Sequence, residues 1–156
     1  MELFARRRYY FCAYCSTFEF IETDALDRLR ILSETDPPMP CPVCSERLGH
    51  ALMGHGHRVL HCKKCRGILM QRSVFSDEVS RRRASATGPG TIPSPLDRRE
   101  LRRVVTCPLC RKKMDVHPYY GPGGIVIDTC SRCDAVWLDS GELGQITDAS
   151  GSDRGQ

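Results

Sequence analysis

The ten cysteines of this 156-residue chain constrain its fold more than any other feature. All ten fall into C-x-x-C pairs, and none lies outside a pair. Such strict doublets are typical of metal ligands and unlike the disulfide framework of a small secreted protein. We therefore expect small metal-stabilised units in place of one large hydrophobic core. The five pairs are Cys12/Cys15, Cys41/Cys44, Cys62/Cys65, Cys107/Cys110 and Cys130/Cys133.

Four of these pairs are spaced as two four-cysteine metal sites. Seventeen residues separate Cys44 from Cys62, and nineteen separate Cys110 from Cys130. A β-hairpin of that length brings two tight C-x-x-C turns together, so that four thiolates close a tetrahedron around Zn²⁺ and leave no open position for substrate. The same cage also accepts iron. The predicted ligands are Cys41, Cys44, Cys62, Cys65, Cys107, Cys110, Cys130 and Cys133.

The two predicted sites belong to two copies of one repeated unit, residues 41–75 and 107–143. The copies align on their cysteines, and apolar residues then coincide between them. In the second copy we expect Trp137 to fill the small core beneath the metal site and not to stack on a nucleic-acid base. Each copy is predicted to contain a hairpin with a glycine-rich tip. The aligned apolar pairs are Leu48 with Met114, Leu69 with Trp137 and Met70 with Leu138.

The first copy is followed by a predicted basic helix over residues 73–85. Ser73 or Ser76 would cap its amino terminus, with Asp77 and Glu78 in the first turn. Three consecutive arginines would then lie near the carboxyl terminus, where the helix dipole favours positive charge.

Three other segments carry helix signals. Ser94 is predicted to cap a short helix over 95–103, with proline at its first position. Asp139 and Glu142 fit a capping box at the start of a helix that ends the second unit. Residues 22–36 fit either a capped helix or a strand.

Cys12 and Cys15 form a pair without a counterpart. Apolar residues before and after it match the second half of the repeated unit, but no first half lies upstream. Three alternatives remain open: ligands supplied by histidines, a shared site with the same pair of a second chain in a homodimer, or no metal. Pairing with Cys41 and Cys44 is less favourable, because another C-x-x-C pair would then have no partner pair. The histidines nearest in sequence are His50, His55, His57 and His61.

Together these features predict a small metal-bound α+β protein of tandem β-hairpin units with cysteine turns, joined by short helices and a Pro/Gly linker. The linker is recognised by its Gly, Pro, Ser and Thr content. The expected divisions are 1–40 (a half-unit with the orphan pair and a connector), 41–85 (the first unit and basic helix), 86–95 (the linker), 96–149 (a short helix and the second unit) and 150–156 (a disordered tail).

The charge pattern leaves the binding partner open between protein and nucleic acid. The formal net charge is +4, which is a modest basic excess, and each four-thiolate zinc centre would add two negative charges. Runs of arginine are often simply solvated. We expect neither a signal segment nor a membrane span, and a reducing, cytoplasmic location. The candidate partner contacts are Arg6, Arg7, Arg8, Arg81, Arg82, Arg83, Arg99, Arg102 and Arg103.

The second unit resembles the TFIIB-type zinc ribbon family. That family's pattern is C-P-x-C, a hairpin, C-x-x-C and then W-L-D-x-G-E-L. Here it reads Cys107 to Cys110, Cys130 to Cys133 and Trp137 to Leu143. The first unit matches the cysteine frame but lacks the D-x-G-E-L ending. The resemblance implies zinc binding at eight cysteines and assigns no activity.

Two functions are consistent with this sequence. The first is a non-enzymatic adaptor whose zinc ribbons are rigid platforms for protein or nucleic acid, as in transcription. The second is a redox or electron-transfer protein with rubredoxin-like iron in a four-cysteine site. Two zinc ions per chain are expected in the first case, and a third site through Cys12 and Cys15 is left open.

Overall fold

The computed structural model describes residues 1–4, 9–15, 17–20 and 29–151. In this part of the chain, ten short strands, two α-helices and one 3₁₀ turn follow one another. The elements are β1 (Glu2–Phe4), β2 (Tyr9–Cys12), β3 (Thr17–Phe20), β4 (Leu29–Glu34), β5 (Gly49–Met53), β6 (His57–His61), β7 (Ile68–Gln71), α1 (Arg72–Ser85), the 3₁₀ turn Glu100–Arg102, β8 (Asp115–Pro118), β9 (Val126–Cys130), β10 (Ala135–Leu138) and α2 (Glu142–Asp148).

The strands form two antiparallel sheets. The first has three strands in the order β1-β2-β3, and the second has seven in the order β4-β5-β6-β7-β10-β9-β8. Each predicted hairpin is present, as β5–β6 and as β8–β9. Gly54 and Gly56 turn the first hairpin with φ of 53° and 97°, which a residue with a side chain rarely adopts. The small α+β class expected from the sequence is confirmed.

The two repeated units share one sheet, which the spacing of the cysteines did not predict. Strand β7 of the first unit pairs with β10 of the second in antiparallel register, and we call this pairing the seam. Leu69 lies opposite Trp137, and Met70 lies opposite Val136. Because Leu69 and Trp137 are also equivalent residues of the repeat, the seam is arranged about a local two-fold axis between them.

The seam strands are buried on both faces, and alternate side chains enter two different cores. On one face Met70 and Val136 pack with Phe75 of α1 and Ile146 of α2. On the other face Leu69 and Trp137 pack among the cysteines of both units, together with Leu48 and Met114. The helices therefore cover one side of the sheet, and the predicted metal sites lie on the other.

Helix α1 begins earlier than the sequence suggested, at Arg72 and directly after β7. The predicted caps Ser73 and Ser76 are wrong, because the N-cap is Gln71 and it makes no side-chain capping bond. The Arg72 amide instead donates to the Asp134 carbonyl across the seam at 2.8 Å. Pairing with the second unit thus supplies the partner that a capping side chain would have provided.

The helix predicted over 95–103 is reduced to the single turn Glu100–Arg102. The Asp97 side chain accepts a hydrogen bond from the Arg99 amide at 3.0 Å, which competes with helix formation at its start. Arg103 is already extended, with φ −68° and ψ 151°. The predicted helix is therefore wrong except for one turn.

The remaining predictions concern residues 22–36, the linker and the tail. Within the segment 22–36, residues Leu29–Glu34 form a strand, β4, which agrees with the strand alternative, and residues 22–28 lie outside the described residues. The predicted linker is bonded to the end of α2, where the Thr91 amide donates to the Asp148 carbonyl at 2.7 Å. Of the predicted tail, residues 152–156 lie outside the described part. No helix among the described residues is long and apolar enough to cross a bilayer.

Candidate metal centres

The four cysteine pairs of the two units adopt the same tight turn, here called a knuckle. In each, the residue after the second cysteine has a left-handed backbone, although none is glycine. A left-handed backbone is energetically unfavourable for a residue with a side chain. Here it accompanies a turn that directs the two sulfur atoms of the pair to the same side. An amide–carbonyl bond closes the turn, from Arg66 to Cys62 at 2.8 Å and from Arg111 to Cys107 at 2.9 Å. The four left-handed residues are Ser45 (φ 61°), Arg66 (60°), Arg111 (61°) and Asp134 (49°).

The first centre brings together all four cysteines predicted for it. Their sulfur atoms lie within 4.8 Å of one another. The Sγ atoms of Cys41 and Cys65 are 3.5 Å apart, and those of Cys44 and Cys62 are 3.4 Å apart. A tetrahedron with Zn–S bonds of about 2.3 Å has edges of about 3.8 Å, whereas a disulfide needs about 2 Å. The set therefore fits a tetrahedral metal ion.

The second centre has the same arrangement. The sulfur atoms of Cys107, Cys110, Cys130 and Cys133 also lie within 4.8 Å of one another, and Cys110 and Cys130 are 3.6 Å apart. In each centre every position of a tetrahedron is taken by a protein thiol. Such closed sites hold zinc for structure, because they leave no coordination position for a substrate or water.

In the second centre, protons and a metal ion compete for the thiols. Burial raises the pKa of Cys133 to about 12 and also raises the pKa of Cys107. A hydrogen bond from the backbone amide of Lys112 lowers the pKa of Cys110 to about 7. Without a metal, part of the set thus keeps its protons at neutral pH. A divalent cation that binds there displaces them.

The first centre shows the same conflict among crowded thiols. Hydrogen bonding to Cys41 raises the pKa of Cys65, and hydrogen bonding to Cys44 raises that of Cys41. The Cys41 hydrogen bond in turn lowers the pKa of Cys44. Ionisation of one thiol therefore makes ionisation of its neighbours less favourable. A cation shared by the four sulfur atoms removes this conflict, because it stabilises all of them as thiolates.

Trp137 is a core residue, as predicted, but its core is shared by the two centres. It is fully buried, at 0% exposure, and packs with cysteines of both units. Its ring lies against the backbone of Gly67, where an added Cβ would come within 2.2 Å of the Cζ2 atom. Gly67 precedes β7, so a missing side chain in the first unit makes room for the large ring of the second.

The W-L-D-x-G-E-L ending has a structural role that differs in part from the predicted capping box. Glu142 Oε2 accepts a hydrogen bond from the Asp139 amide at 2.7 Å, as a capping box requires. The predicted N-cap is wrong, however, because Gly141 holds that position, with φ 82°. The Asp139 carboxylate instead accepts hydrogen bonds from Trp137 Nε1 at 3.1 Å and from Arg103 Nη1 at 2.5 Å.

Arg103 belongs to a buried charge cluster that sequence reasoning missed. Its side chain is 16% exposed and also pairs with Asp128 through Nη2 and Oδ2 at 2.6 Å. Asp128 stands in β9, in which every residue is buried, and is itself 1% exposed. A carboxylate at such a position requires a partner, and this was the available signal. Arg103 thereby ties the segment before the second unit to its core.

The arginines of α1, predicted as partner contacts, make bonds within the protein. Arg81 Nη2 pairs with Asp77 Oδ2 at 2.6 Å, and Arg82 Nε pairs with Glu78 Oε1 at 3.2 Å. Arg83 donates to backbone carbonyls at the carboxyl end of α2. The favourable placement of Arg82 and Arg83 in the last turn is as expected. Their contact with a partner stays a prediction.

The other predicted contacts lie apart from this helix. Arg99 is exposed and makes a salt bridge with Asp97 at 2.9 Å, and Arg102 is exposed beside it. The basic run at residues 6–8 lies outside the described residues. Contact of these residues with a partner stays a prediction.

Cys12 and Cys15 are not part of either centre. They lie at the turn between β2 and β3, and neither belongs to a metal-binding group of three or more residues within the described ranges. None of the ten cysteines forms a disulfide. The alternatives for this pair therefore remain open at this point.

The family comparison assigns the second unit. Residues 106–149 match the TFIIB-type zinc ribbon model, described as a transcription factor zinc-finger. No curated protein and no solved structure is significantly similar to the chain. With the other four-cysteine group at 41–65, the geometry fits tandem zinc ribbons. We refer to the two units as the first and second ribbon.

Proposed function

We propose that this protein is a zinc-binding adaptor in which two structural zinc ribbons, joined by the seam, form one rigid platform for a protein or nucleic-acid partner. Eight cysteines hold the two zinc ions: Cys41, Cys44, Cys62 and Cys65 in the first ribbon, and Cys107, Cys110, Cys130 and Cys133 in the second. The proposal assigns no catalytic residue.

The closed coordination of both centres carries this proposal. Four thiols around each site leave a metal ion no free position for substrate. The buried carboxylates nearby are also engaged: Asp139 with Trp137 and Arg103, and Glu142 with the backbone at the start of α2. These contacts support a structural role for the groups that would otherwise be candidate acids or bases.

The partner surface is proposed to lie at the knuckles and the exposed basic residues. The tips of the two C-P-x-C turns expose Val43 at 37% and Leu109 at 45%. Two exposed lysines lie at the knuckles as well: Lys112 follows Cys110 closely, and Lys63 stands between Cys62 and Cys65, where it pairs with Glu34 at 3.5 Å. Arg102 adds to this surface beside the second ribbon. A reducing compartment such as the cytoplasm is expected, since thiolate ligands must stay reduced.

Metal analysis of the purified protein tests the zinc assignment. We expect at least about two zinc ions per chain, no iron and no visible absorption, since Zn²⁺ has no redox or d–d chemistry. A coloured protein with stoichiometric iron would overturn the adaptor proposal in favour of electron transfer. Cys130→Ser should remove one zinc ion and unfold the second ribbon, because binding energy there is folding energy.

A salt titration of binding to random-sequence DNA and RNA separates the two partner classes. Nucleic-acid binding predicts affinity that falls steeply with salt, because cations on the protein displace counterions from phosphates. The variant Arg99→Gln/Arg102→Gln should then bind more weakly. Arg30→Gln, in the edge strand β4 and remote in sequence from the knuckles, serves as a control for loss of charge elsewhere. Binding that is absent at all salt concentrations would eliminate nucleic acid and leave a protein partner.

A further inference from the structure

The three-stranded sheet at the amino terminus is built in the register of a zinc ribbon. In the first ribbon, the residue before the second knuckle pairs with the first residue of the outer strand, as His61 with Gly49. In the second ribbon, Thr129 pairs with Asp115 in the same way. The equivalent pair at the amino terminus is Phe11 with Glu2. Strands β1-β2-β3 thus correspond to β5-β6-β7 and β8-β9-β10.

The turn that carries Cys12 and Cys15 corresponds to a metal-binding knuckle. Cys12 pairs with Thr17, five residues later, as Cys130 pairs with Ala135 in the second ribbon. In the first ribbon Cys62 donates its amide to Gly67, again five residues later. The strand register on either side of the turn at Cys12 and Cys15 is therefore the register found around the metal-binding knuckles of the two ribbons.

This amino-terminal half-ribbon has one knuckle where the complete ribbons have two. Eight of the ten cysteines belong to the two centres, so the chain holds no further cysteine to complete it. No group of three possible ligands in the described part of the chain includes Cys12 or Cys15. A four-thiolate site like the two centres would therefore take its other two thiolates from a second chain.

The solvent exposure of Cys12 and Cys15 indicates the side from which two further thiolates could reach them. In the complete ribbons the first cysteine of the second knuckle is covered by the opposite knuckle: Cys62 is 0% exposed and Cys130 is 3% exposed. Cys12 is partly exposed and Cys15 is exposed, and Tyr14 at the tip is 99% exposed. The side that an opposing knuckle occupies in the ribbons is thus open to solvent.

We propose that Cys12 and Cys15 form half of an intermolecular zinc site, completed by the same two cysteines of a second copy of this chain. Each copy contributes two thiols, the four thiols lose their protons to solvent, and Zn²⁺ is held in a closed tetrahedron. A site made of two identical halves closes with two-fold symmetry and cannot propagate into a fibre. The seam already pairs two ribbons about a local two-fold axis within one chain.

The shared ion also accounts for a sheet that is small to stand alone. The sheet has three strands of only three or four residues, and sheets of this size generally need packing or metal for independent stability. Zinc binding would provide that stability at the moment of dimerisation. The proposal does not depend on which partner the two ribbons bind.

The test combines zinc content with molar mass, measured by light scattering on the full-length zinc-loaded protein. We expect a dimer with about two and a half zinc ions per chain, two from the internal centres and half of a shared one. Cys12→Ser/Cys15→Ser should give a monomer with about two zinc ions. Tyr14→Ala, which changes the same knuckle without removing a ligand, should remain a dimer with unchanged zinc.

A second measurement on the unaltered protein guards against simple misfolding of the serine variant. On dilution in the presence of a chromogenic chelator, about a fifth of the zinc should leave at a rate or extent that depends on protein concentration, because only the shared ion requires two chains. The other four fifths should be independent of concentration.

Three results would overturn the proposal. A monomer with two zinc ions means that the pair holds no metal, and a monomer with three means that the site is completed within one chain. A dimer that persists in the serine variant means that the copies meet elsewhere. Each of these results leaves the two-ribbon adaptor intact, so failure here is distinguishable from failure of the proposed function.

Discussion

Gly67→Ala should destabilise the protein markedly, because Trp137 occupies the space that the new methyl group needs. The added Cβ would lie 2.2 Å from Cζ2, 2.8 Å from Cη2 and 2.9 Å from Cε2 of the ring, whereas ordinary contact is 3.4–4 Å. The ring cannot turn aside freely. It is fully buried, and its Nε1 donates to Asp139 at 3.1 Å.

The magnitude follows from these contacts. Inserting one methyl group into a packed core costs about 1–3 kcal/mol. If the ring moves far enough to lose its bond to Asp139, the buried acceptor adds about 1 kcal/mol. We therefore expect Gly67→Ala to lower the free energy of unfolding by about 2–4 kcal/mol.

The repeat supplies a matched control for this substitution. Ala135 is equivalent to Gly67, and it shares its buried cluster with Leu69, the equivalent of Trp137. Alanine is thus accepted at this position where the partner is leucine. In a Trp137→Leu background, Gly67→Ala should cost less than about 1 kcal/mol, which gives a coupling energy of about 1–3 kcal/mol.

Urea unfolding, followed by far-ultraviolet circular dichroism, measures these differences with one probe. The four zinc-loaded proteins compared are the unaltered protein, Gly67→Ala, Trp137→Leu and the double variant. Gly144→Ala controls for the change itself: an added Cβ meets nothing within 4 Å there, and alanine favours a helix. It should leave stability equal or slightly higher. Equal costs of Gly67→Ala with tryptophan and with leucine at position 137 would refute the steric argument.

Three other perturbations test the buried charges and the metal. Arg103→Met should cost about 3–5 kcal/mol in urea unfolding, because it leaves the Asp128 and Asp139 carboxylates buried without their cation; Arg102→Met, at an exposed position, should stay within about 0.5 kcal/mol. Excess chelator should shift the fluorescence of the single tryptophan towards that of the unfolded chain, and added zinc should restore it. Zinc affinity should fall as the pH is lowered, because burial raises the pKa of Cys133 and zinc must displace its proton; competition with a chelator across the neutral range measures this, and a pH-independent affinity would contradict it.

The local features of both ribbons were predictable because their causes lie within a few residues. A C-x-x-C pair already specifies a tight turn, and the distance between pairs specifies a hairpin. Trp137 was predicted to fill a small core and the repeat aligned Leu69 with it, and both are buried. The two four-cysteine groups follow from the same spacing.

The seam was not predictable from spacing, because strand pairing between the units depends on which edges meet in space. A signal was present, however. Strand β7 reads Ile68, Leu69, Met70, and β10 is apolar throughout, so both faces had to be buried. Continuous apolar strands of this kind belong in the middle of a sheet and not at the edge of an isolated hairpin.

Arg103 was misread because a run of basic residues carries no information about its partners. In the sequence it stands next to Arg102, and both looked like surface charge. Only the fold brings Arg103 to Asp128, which lies 25 positions further along the chain. Asp128 was the more informative residue of the pair, since it directly follows the apolar run Ile125, Val126 and Ile127, and an acidic side chain buried there has to be neutralised.

The seam also makes the two metal sites thermodynamically linked. Zinc in either ribbon fixes the strand that serves as the hydrogen-bonding edge of the other, since β7 and β10 pair along four residue positions. The ion that enters first must order both edges, whereas the second finds its edge already formed. Loading should therefore be positively cooperative, and chains with one filled ribbon should be scarce at every zinc concentration.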